Sequence, residues 1–360
     1  MDTIRIGLIW SGHRGYFTSV WNDTNGKSKI TALAELDDQA ISYFKDNVTQ
    51  DAFITKDYHE LLKRDDVDAV VVLTQDYLHK QHAIDVLEAG KHLYLEKPMA
   101  ITIEDCDEIL NAWKKSGNKM LMGFNMRYMP MYQKMKEIID EGLIGEVKAI
   151  WVRHFVGSGG QAYYQDWHRN AKYTNSLLLQ KGSHDLDIIH MLAASYTKKV
   201  SAFGSLDFYN DPKNFNNDRL TNQTDCPIDV EDNNVLIMEM QNGIKASYMQ
   251  CHFTPDYSRN YTVIGTKGRI ENDDQVGTIT LTKRLMKEST IWHIKHTDNV
   301  HGGADNHIVE GFLNYLLNDE QPAASPKDGR MSVAVGVKAT ESLREGGGVK
   351  LVPPTTYKED

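Results

Sequence analysis

The chain has 360 residues, enough for two or three domains at about 100 to 200 residues each. Apolar residues make up 41% and charged residues 25%, a balance that excludes collagen-like and disordered classes. The formal net charge of −10 disfavours a nucleic-acid partner, whose phosphates need clustered Lys and Arg, and no apolar run approaches the ~18 residues of a membrane span.

The N-terminus enters a strand-like run at once, without the basic, apolar and small-residue zones of a secretory signal, so a cytoplasmic chain is expected. From residue 4 to about 122, short apolar runs alternate with amphipathic segments. "IRIGLIW", "KITALAEL", "DAVVVLT", "HLYLEK" and "KMLMGF" read as buried parallel strands. Between them, "YLHKQHAIDVLEAG" places Ala83, Ile84, Val86 and Leu87 on one face and ends at Gly90, and "TIEDCDEILNAWKKSG" opens on Thr102-x-x-Asp105 and ends at Gly117. Strands alternating with helices predict an α/β, doubly wound parallel sheet of the dinucleotide-binding Rossmann kind.

The first strand hands over to "WSGHRGYF". Ser11, Gly12, His13, Arg14 and Gly15 would let backbone amides approach a pyrophosphate, although Trp10 stands where the fingerprint Gly-x-Gly-x-x-Gly begins with glycine. The first turn is therefore expected to avoid positive φ, with the indole beside the loop or over the crevice. About 20 residues beyond Gly15, Glu35 ends the second strand. A carboxylate there accepts from ribose hydroxyls and repels a 2′-phosphate, so NAD is expected over NADP.

The fourth strand-like run ends in "LYLEKPMA", which sets Glu96 and Lys97 at the carboxyl edge of the sheet, where open α/β sheets bind ligands. Lys97 there is either an acid–base or hydroxyl-binding group or a solvated lysine.

After about residue 145 the strands lengthen. "EVKAIWVRHFV", "KVSAFGSLDFY", "NNVLIMEMQNGIKASYMQCHF", "YTVIGTKGRIEN" and "TITLTKRL" predict a large, mainly antiparallel open sheet, with Asn242-Gly243 as a type I′ hairpin turn. Helices are expected at about 183 to 194, 303 to 318 and 328 to 345, which makes this half an α+β domain. The boundaries follow as 1–124 and 125–360.

"LLLQKGSHDLDIIHML" carries the second constellation. A helix starting near Ser183 puts His184 and Asp187 at i and i+3, with Gln180 and Lys181 just before it. Imidazole backed by a carboxylate suits a general base, and a capped helix with a structural His–Asp bond is the alternative. In "RHFVGSGGQAYYQDWHRN", His154, Tyr163, Trp167 and His168 form a candidate carbohydrate lid or an ordinary connecting loop. The histidines lack compact ligand spacing, and His293-x-x-His296 lies in a polar strand-like stretch, so no metal is expected. The three cysteines, at 106, 226 and 251, form no Cys-x-x-Cys and read as reduced core residues.

In order, "GLIWSGHRG", Glu35, "LTQDYLH", "AGKHLYLEKPMA", "MGFNMRYMP", "GSHDLD", "VIGTKGRIE" and "HGGADNHIVEGF" resemble the glucose-fructose oxidoreductase and inositol dehydrogenase family (Gfo/Idh/MocA) over nearly the whole chain. The resemblance implies an N-terminal Rossmann domain with a bound nicotinamide cofactor, and a C-terminal domain whose open sheet builds homodimers or homotetramers. It also implies a sugar, sugar-derivative or cyclitol substrate. Lys97 then matches an active-site lysine, and His184 and Asp187 match Gly-x-His-x-x-Asp. Thr74, Gln75 and His79 would line the cofactor, and Asn125, Arg127 and Tyr128 match an "N-x-R-Y" segment beneath nicotinamide and substrate. Trp167, His168, Gln180 and Lys181, with Arg127 and Tyr128, are the expected substrate contacts. Gln180 departs from the aspartate that polyol-oxidising members tend to carry. The expected activity is a dehydrogenase; a glycosidase or lyase with transient oxidation and a non-catalytic regulator stay open beside it.

Overall fold

The computed structural model describes residues 3–10, 15–22, 25–215, 227–286, 288–295 and 303–355. Ser11, Gly12, His13 and Arg14 lie outside the described residues, as do Cys226 and His296.

The chain divides into two compact units, one of Met1–Tyr128 with Asn299–Arg330 and Thr355–Asp360, the other of Met129–Asp298 with Met331–Pro354. A single cut after residue 124 therefore misplaces the segment that returns to the first unit.

In the first unit, β1 (Ile4–Ile9), β2 (Ser28–Ala34), β3 (Phe53–Thr55), β4 (Ala69–Val72), β5 (His92–Leu95) and β6 (Met120–Met122) pair in the order β3-β2-β1-β4-β5-β6. Every pairing is parallel. Parallel strands are covered on both faces, and the four residues of β4 are all fully buried, which is why the run is continuously apolar. Strand order reverses between β1 and β4, and that reversal opens a crevice at the carboxyl ends. The helix Ile103–Ser116 starts where the Thr102 hydroxyl accepts from the Asp105 N–H at 3.1 Å and stops at Gly117 in the left-handed conformation, φ 66°.

The returning helix, Ala304–Asn318, gives Phe312 to a buried aromatic cluster in this unit. Phe312 lies 5.8 Å from Trp21 and 6.0 Å from Tyr94, edge to face, and Phe17 closes the cluster against Trp21 at 5.7 Å. Lys119 Nζ donates to the Tyr315 carbonyl at 2.7 Å and so satisfies the helix's C-terminal end.

In the second unit, β7 (Val147–Phe155), β8 (Thr197–Ser205), β9 (Asn233–Met240), β10 (Lys245–Cys251), β11 (Ser258–Gly265), β12 (Gly268–Asp273), β13 (Thr278–Lys283), β14 (Ser289–His293) and β15 (Lys350–Leu351) form one sheet. Its order is β14-β13-β12-β11-β7-β10-β9-β8-β15, and only β7 and β10 run parallel. Burial alternates along β9, so one face is covered while Trp151, Phe203 and Ile237 stand exposed on the other strand faces. The β9–β10 hairpin forms, but not through type I′ geometry. Gly243 has φ 87° and its N–H donates to the Met240 carbonyl, while Asn242 has no positive φ, so the connection is a three-residue loop closed by one left-handed glycine.

Candidate functional site

At the carboxyl ends of β1, β2 and β4, a cavity of about 620 Å³ is lined by Ile9, Trp10, Glu35, Thr74, Gln75 and His82 among others. Trp10 has φ 69°, against the expectation of a negative φ. The backbone keeps the turn that glycine would make, at roughly 1 to 2 kcal/mol for an L-residue, and the Trp10 N–H is tied to the Ala34 carbonyl at 2.9 Å. Trp10 lines the cavity wall.

Glu35 is buried, and its Oε1 accepts from the Leu36 and Asp37 N–H groups at 2.8 and 3.1 Å. Its own N–H donates to Thr55 across β3, which fixes the carboxylate at the rim. Thr74 Oγ1 meets His82 Nδ1 at 3.0 Å, and Tyr77 donates to Gln75 at 2.6 Å.

His79 stands differently. Its ring is wholly buried, with Nδ1 2.6 Å from the Pro98 carbonyl and Nε2 2.9 Å from the Thr74 carbonyl. Burial pushes its pKa down to about 4, and the Lys97 charge acts in the same direction against the two carbonyls. His79 therefore clamps the turn that carries Lys97 instead of lining the cofactor pocket, because its buried neutral ring sits between two backbone carbonyls and donates its one N–H to one of them. In that turn, which contains a cis Lys97–Pro98 peptide, the Lys97 N–H donates to Glu96 Oε2 at 3.2 Å. Gly123 permits the close packing behind it, since a Cβ there would lie 3.0 Å from Glu96 Cα.

The "NMRY" segment also takes another role. Asn125 Nδ2 donates to Asp305 Oδ1 at 2.9 Å, Arg127 Nη2 lies 3.0 Å from Asp328 Oδ1, and Arg127 Nη1 donates to the Ala323 carbonyl. Tyr128 Oη accepts from the Ala323 N–H at 3.3 Å and packs against Gly311. Arg127 and Tyr128 are thus buried fasteners of the returning segment and not substrate contacts. Nothing local in the sequence shows where that segment returns.

Burial opposes ionisation of Asp328, but the Arg127 charge and bonds from Ser325 outweigh it and hold the carboxyl below its ordinary range. A depressed folded-state pKa gives stability that is complete above the unfolded pKa and is lost as pH falls through the folded value. Urea titrations from pH 7 to pH 3 are expected to show this acid limb in the wild type and a limb flatter by about one proton in Asp328→Asn.

In the second unit, the helix Ser183–Ala193 carries half-buried His184 on its first turn and fully buried Asp187 one turn on. Asp185, which directly follows His184, anchors the helix. Tyr248 donates to its Oδ2 at 2.8 Å, Tyr261 donates to Oδ1, His154 Nδ1 lies 3.1 Å from Oδ2, and Arg259 Nε lies 3.4 Å from Oδ1. Burial raises the Asp185 pKa, but Arg259 and His154 more than reverse that and keep it charged. His154 is pushed down to about 3 by burial and the Arg259 charge.

His154 is therefore a sheet residue and not part of a lid. The remaining lid candidates do meet. Trp167 stacks on His168 at 3.8 Å, His168 is edge-on to Tyr163 at 5.4 Å, and Lys181 Nζ lies 5.1 Å over the Tyr163 ring. Gln180 ends the short helix Leu177–Gln180 and is buried. Asp185 escaped the sequence reading, as did His82 and Tyr58, which both line the cavity at the strand ends. The partners of Asp185 on β7, β10 and β11 are 31, 63 and 76 positions away, beyond any local spacing rule.

Residues 4–124 match the family description "Oxidoreductase family, NAD-binding Rossmann fold", and residues 136–351 match "Oxidoreductase family, C-terminal alpha/beta domain". An inositol 2-dehydrogenase/D-chiro-inositol 3-dehydrogenase of Lactiplantibacillus plantarum is 25% identical over 96% of this chain and 91% of its own length. A myo-inositol 2-dehydrogenase of Thermotoga maritima is 24% identical over 97% and 98%. Among solved structures, a levoglucosan dehydrogenase in complex with NADH superposes with a TM-score of 0.85 at 19% identity, over 98% of this chain and 100% of that one.

Proposed function

Because the chain belongs to the Gfo/Idh/MocA oxidoreductase family, whose members act on CH–OH groups, we propose that it is an NAD-dependent dehydrogenase of a sugar, sugar derivative or cyclitol. The observation that carries this is the cavity at the strand ends with buried Glu35 on its rim. The donor set fits a dinucleotide: a carboxylate for ribose hydroxyls, the Thr74 and Gln75 side chains, and an apolar wall from Ile9, Trp10 and Leu78. Lys56, the one lysine or arginine among the described residues of that lining, is paired with Asp38 at 2.7 Å, which supports NAD over NADP. Ser11 to Gly15 are assigned to the phosphates on the resemblance of their motif.

When bound, the nicotinamide supplies a hydride acceptor. In the oxidative direction, we assign removal of the substrate's hydroxyl proton to His184 or Lys97, each suited in chemistry to hold or pass it. Asp187 is assigned to favour the protonated form of His184. Trp167, His168, Gln180 and Lys181 are assigned to substrate hydroxyls and ring faces. Exposed Trp151, Phe203 and Ile237 support self-association through the open sheet, since monomers rarely expose such contiguous apolar area. No described helix is long and apolar enough to cross a membrane, and a cytoplasmic site of action is part of the proposal.

Glu35→Ala is expected to weaken NAD about 10- to 100-fold, the worth of one or two charge-assisted hydrogen bonds, and to narrow the preference over NADP. Titration of both cofactors by thermal shift checks it. Unchanged NAD affinity would remove Glu35 from the cofactor site.

A further inference from the structure

The cavity at the carboxyl ends of β1, β2 and β4 has a lining of two kinds. Glu35 supplies a carboxylate, while Tyr58 and His59 from the short helix Tyr58–Leu62 and His82 from the helix His79–Glu88 supply three rings. The Tyr58 ring meets His59 at 4.1 Å, tilted by 33°, and His82 at 4.6 Å, edge to face. Leu78 and Leu36 add aliphatic surface to the same lining, and Leu36 is 72% exposed. Rings and aliphatic side chains around one space suit a flat, weakly hydrated guest.

The polar atoms of these rings are not equally available. Tyr58 Oη donates to Asp85 Oδ2 at 2.6 Å, and the other oxygen of Asp85 accepts from Gln81 Nε2 at 2.7 Å, so the Tyr58 hydroxyl is committed and its ring is what it offers. In His82, Nδ1 lies 3.0 Å from Thr74 Oγ1, and Nε2 meets no hydrogen-bond partner among the described residues. His82 is 9% exposed and lines the cavity, so a guest can reach it there.

Burial, seconded by His79, takes the His82 pKa down to about 4, which leaves a neutral ring with one N–H. Nδ1 is also the acceptor that the Thr74 hydroxyl finds among the described residues. The arrangement that satisfies both groups has the hydroxyl donating to Nδ1 and the ring proton on Nε2. That nitrogen is then a donor. A nucleoside held at its ribose hydroxyls by Glu35 carries its base one glycosidic bond away, and the three rings are the aromatic part of the same lining. A purine has unprotonated nitrogens in its ring plane, whereas a nicotinamide, bonded to ribose through its ring nitrogen, has none.

We propose that His82 reads the cofactor's base, donating from Nε2 to a ring nitrogen of adenine, with Thr74 as the positioning residue that sets its tautomer. This deepens the dinucleotide assignment above and rests on it. Thr74 then serves the cofactor through His82, and Tyr58, held by Asp85, is the ring against which the imidazole packs.

The test titrates the full chain with NAD and with ADP-ribose, which keeps the adenosine and lacks the nicotinamide, and reads affinity by thermal shift. His82→Phe keeps a ring without a donor and is expected to weaken both ligands by the same factor, about 5- to 15-fold, the worth of one hydrogen bond. His82→Gln, whose amide N–H reaches about as far as Nε2, should retain most of the affinity, a rescue that loss of packing alone would not give. Thr74→Val should weaken both ligands in the wild type and add little in His82→Phe, because the two act as one unit. Unfolding of the ligand-free variants checks that each is folded. Affinities unmoved by His82→Phe, an equal loss in His82→Gln, or a Thr74→Val effect fully additive with His82→Phe overturns the proposal while NAD binding stands. If the wild type binds neither NAD nor ADP-ribose, the dinucleotide assignment falls and takes the proposal with it. ADP-ribose binding that depends on His82, in a protein that reduces nicotinamide with no polyol, upholds the base site and removes the dehydrogenase assignment.

Discussion

Lys97→Met is expected to lower kcat by about 10²- to 10⁴-fold, the usual contribution of a positioned proton-transfer group, while the protein stays folded and NAD affinity changes only a few-fold. The expectation follows from how the turn is built. Lys97 leaves the carboxyl edge of β5, its N–H bound to Glu96, with His79 holding the adjoining Pro98 carbonyl from below and Gly123 allowing the strands to close behind it. A surface lysine would not need such support. Lys97 is only half-buried, and methionine keeps most of its length, so the substitution opens no cavity in a dry core. Steady-state kinetics with a cofactor titration separates the outcomes: an unchanged kcat assigns Lys97 to the solvated edge of the sheet. A fall in NAD affinity equal to the fall in kcat/KM assigns it to cofactor binding alone.

Phe312→Ala is expected to destabilise the first unit by about 3 to 5 kcal/mol, the range for truncating a buried phenyl ring. Phe312 is fully buried and meets Trp21 and Tyr94 edge to face, the preferred geometry for aromatic quadrupoles. Because it sits on the helix Ala304–Asn318, the variant tests whether the returning segment belongs to the first unit's core. Chemical denaturation with NAD bound and absent measures it. A loss under 1 kcal/mol would mean that the helix packs loosely and that the first unit's core is complete without it. Phe312→Leu, which keeps most of the buried volume, should lose much less.

These two residues differ in how far the sequence reveals them. Lys97 follows from a strand ending in Glu-Lys-Pro, because the carboxyl edge of a parallel sheet is where ligands bind whatever the rest of the chain does. Phe312 is visible as an apolar helix position, yet nothing around "NHIVEGFLNYLLND" tells that its helix packs with β5 and not with the sheet that precedes it. The runs that became β1, β2, β4, β5 and β6 were legible because burial on both faces demands unbroken aliphatic sequence. Three-residue β3 and two-residue β15 carry too few positions for any period to appear.

The turns were legible in place but not in conformation. Asn242-Gly243 does make a hairpin, but the loop needs only one left-handed residue, and Trp10 adopts the conformation that its side chain disfavours. Sheet register, not local preference, decides both. The candidate site shows the same limit: His184 and Asp187 could be read from a helical spacing of three, while Asp185, which fastens that helix, takes its partners from strands far along the chain. Polar residues such as Asn234 and Gln250 look in sequence like solvent-facing strand positions. Only the pairing of β9 with β10 reveals that they face inward together.

The most direct measurement is to incubate the protein with NAD and a panel of sugars, sugar acids and inositols, following the near-ultraviolet absorbance of reduced nicotinamide while quantifying the oxidised product. One reduced nicotinamide per ketone formed, abolished in Lys97→Met, is the predicted result. Substrate turnover with no net reduction, as in a hydrolase or lyase that oxidises only transiently, would contradict the dehydrogenase assignment.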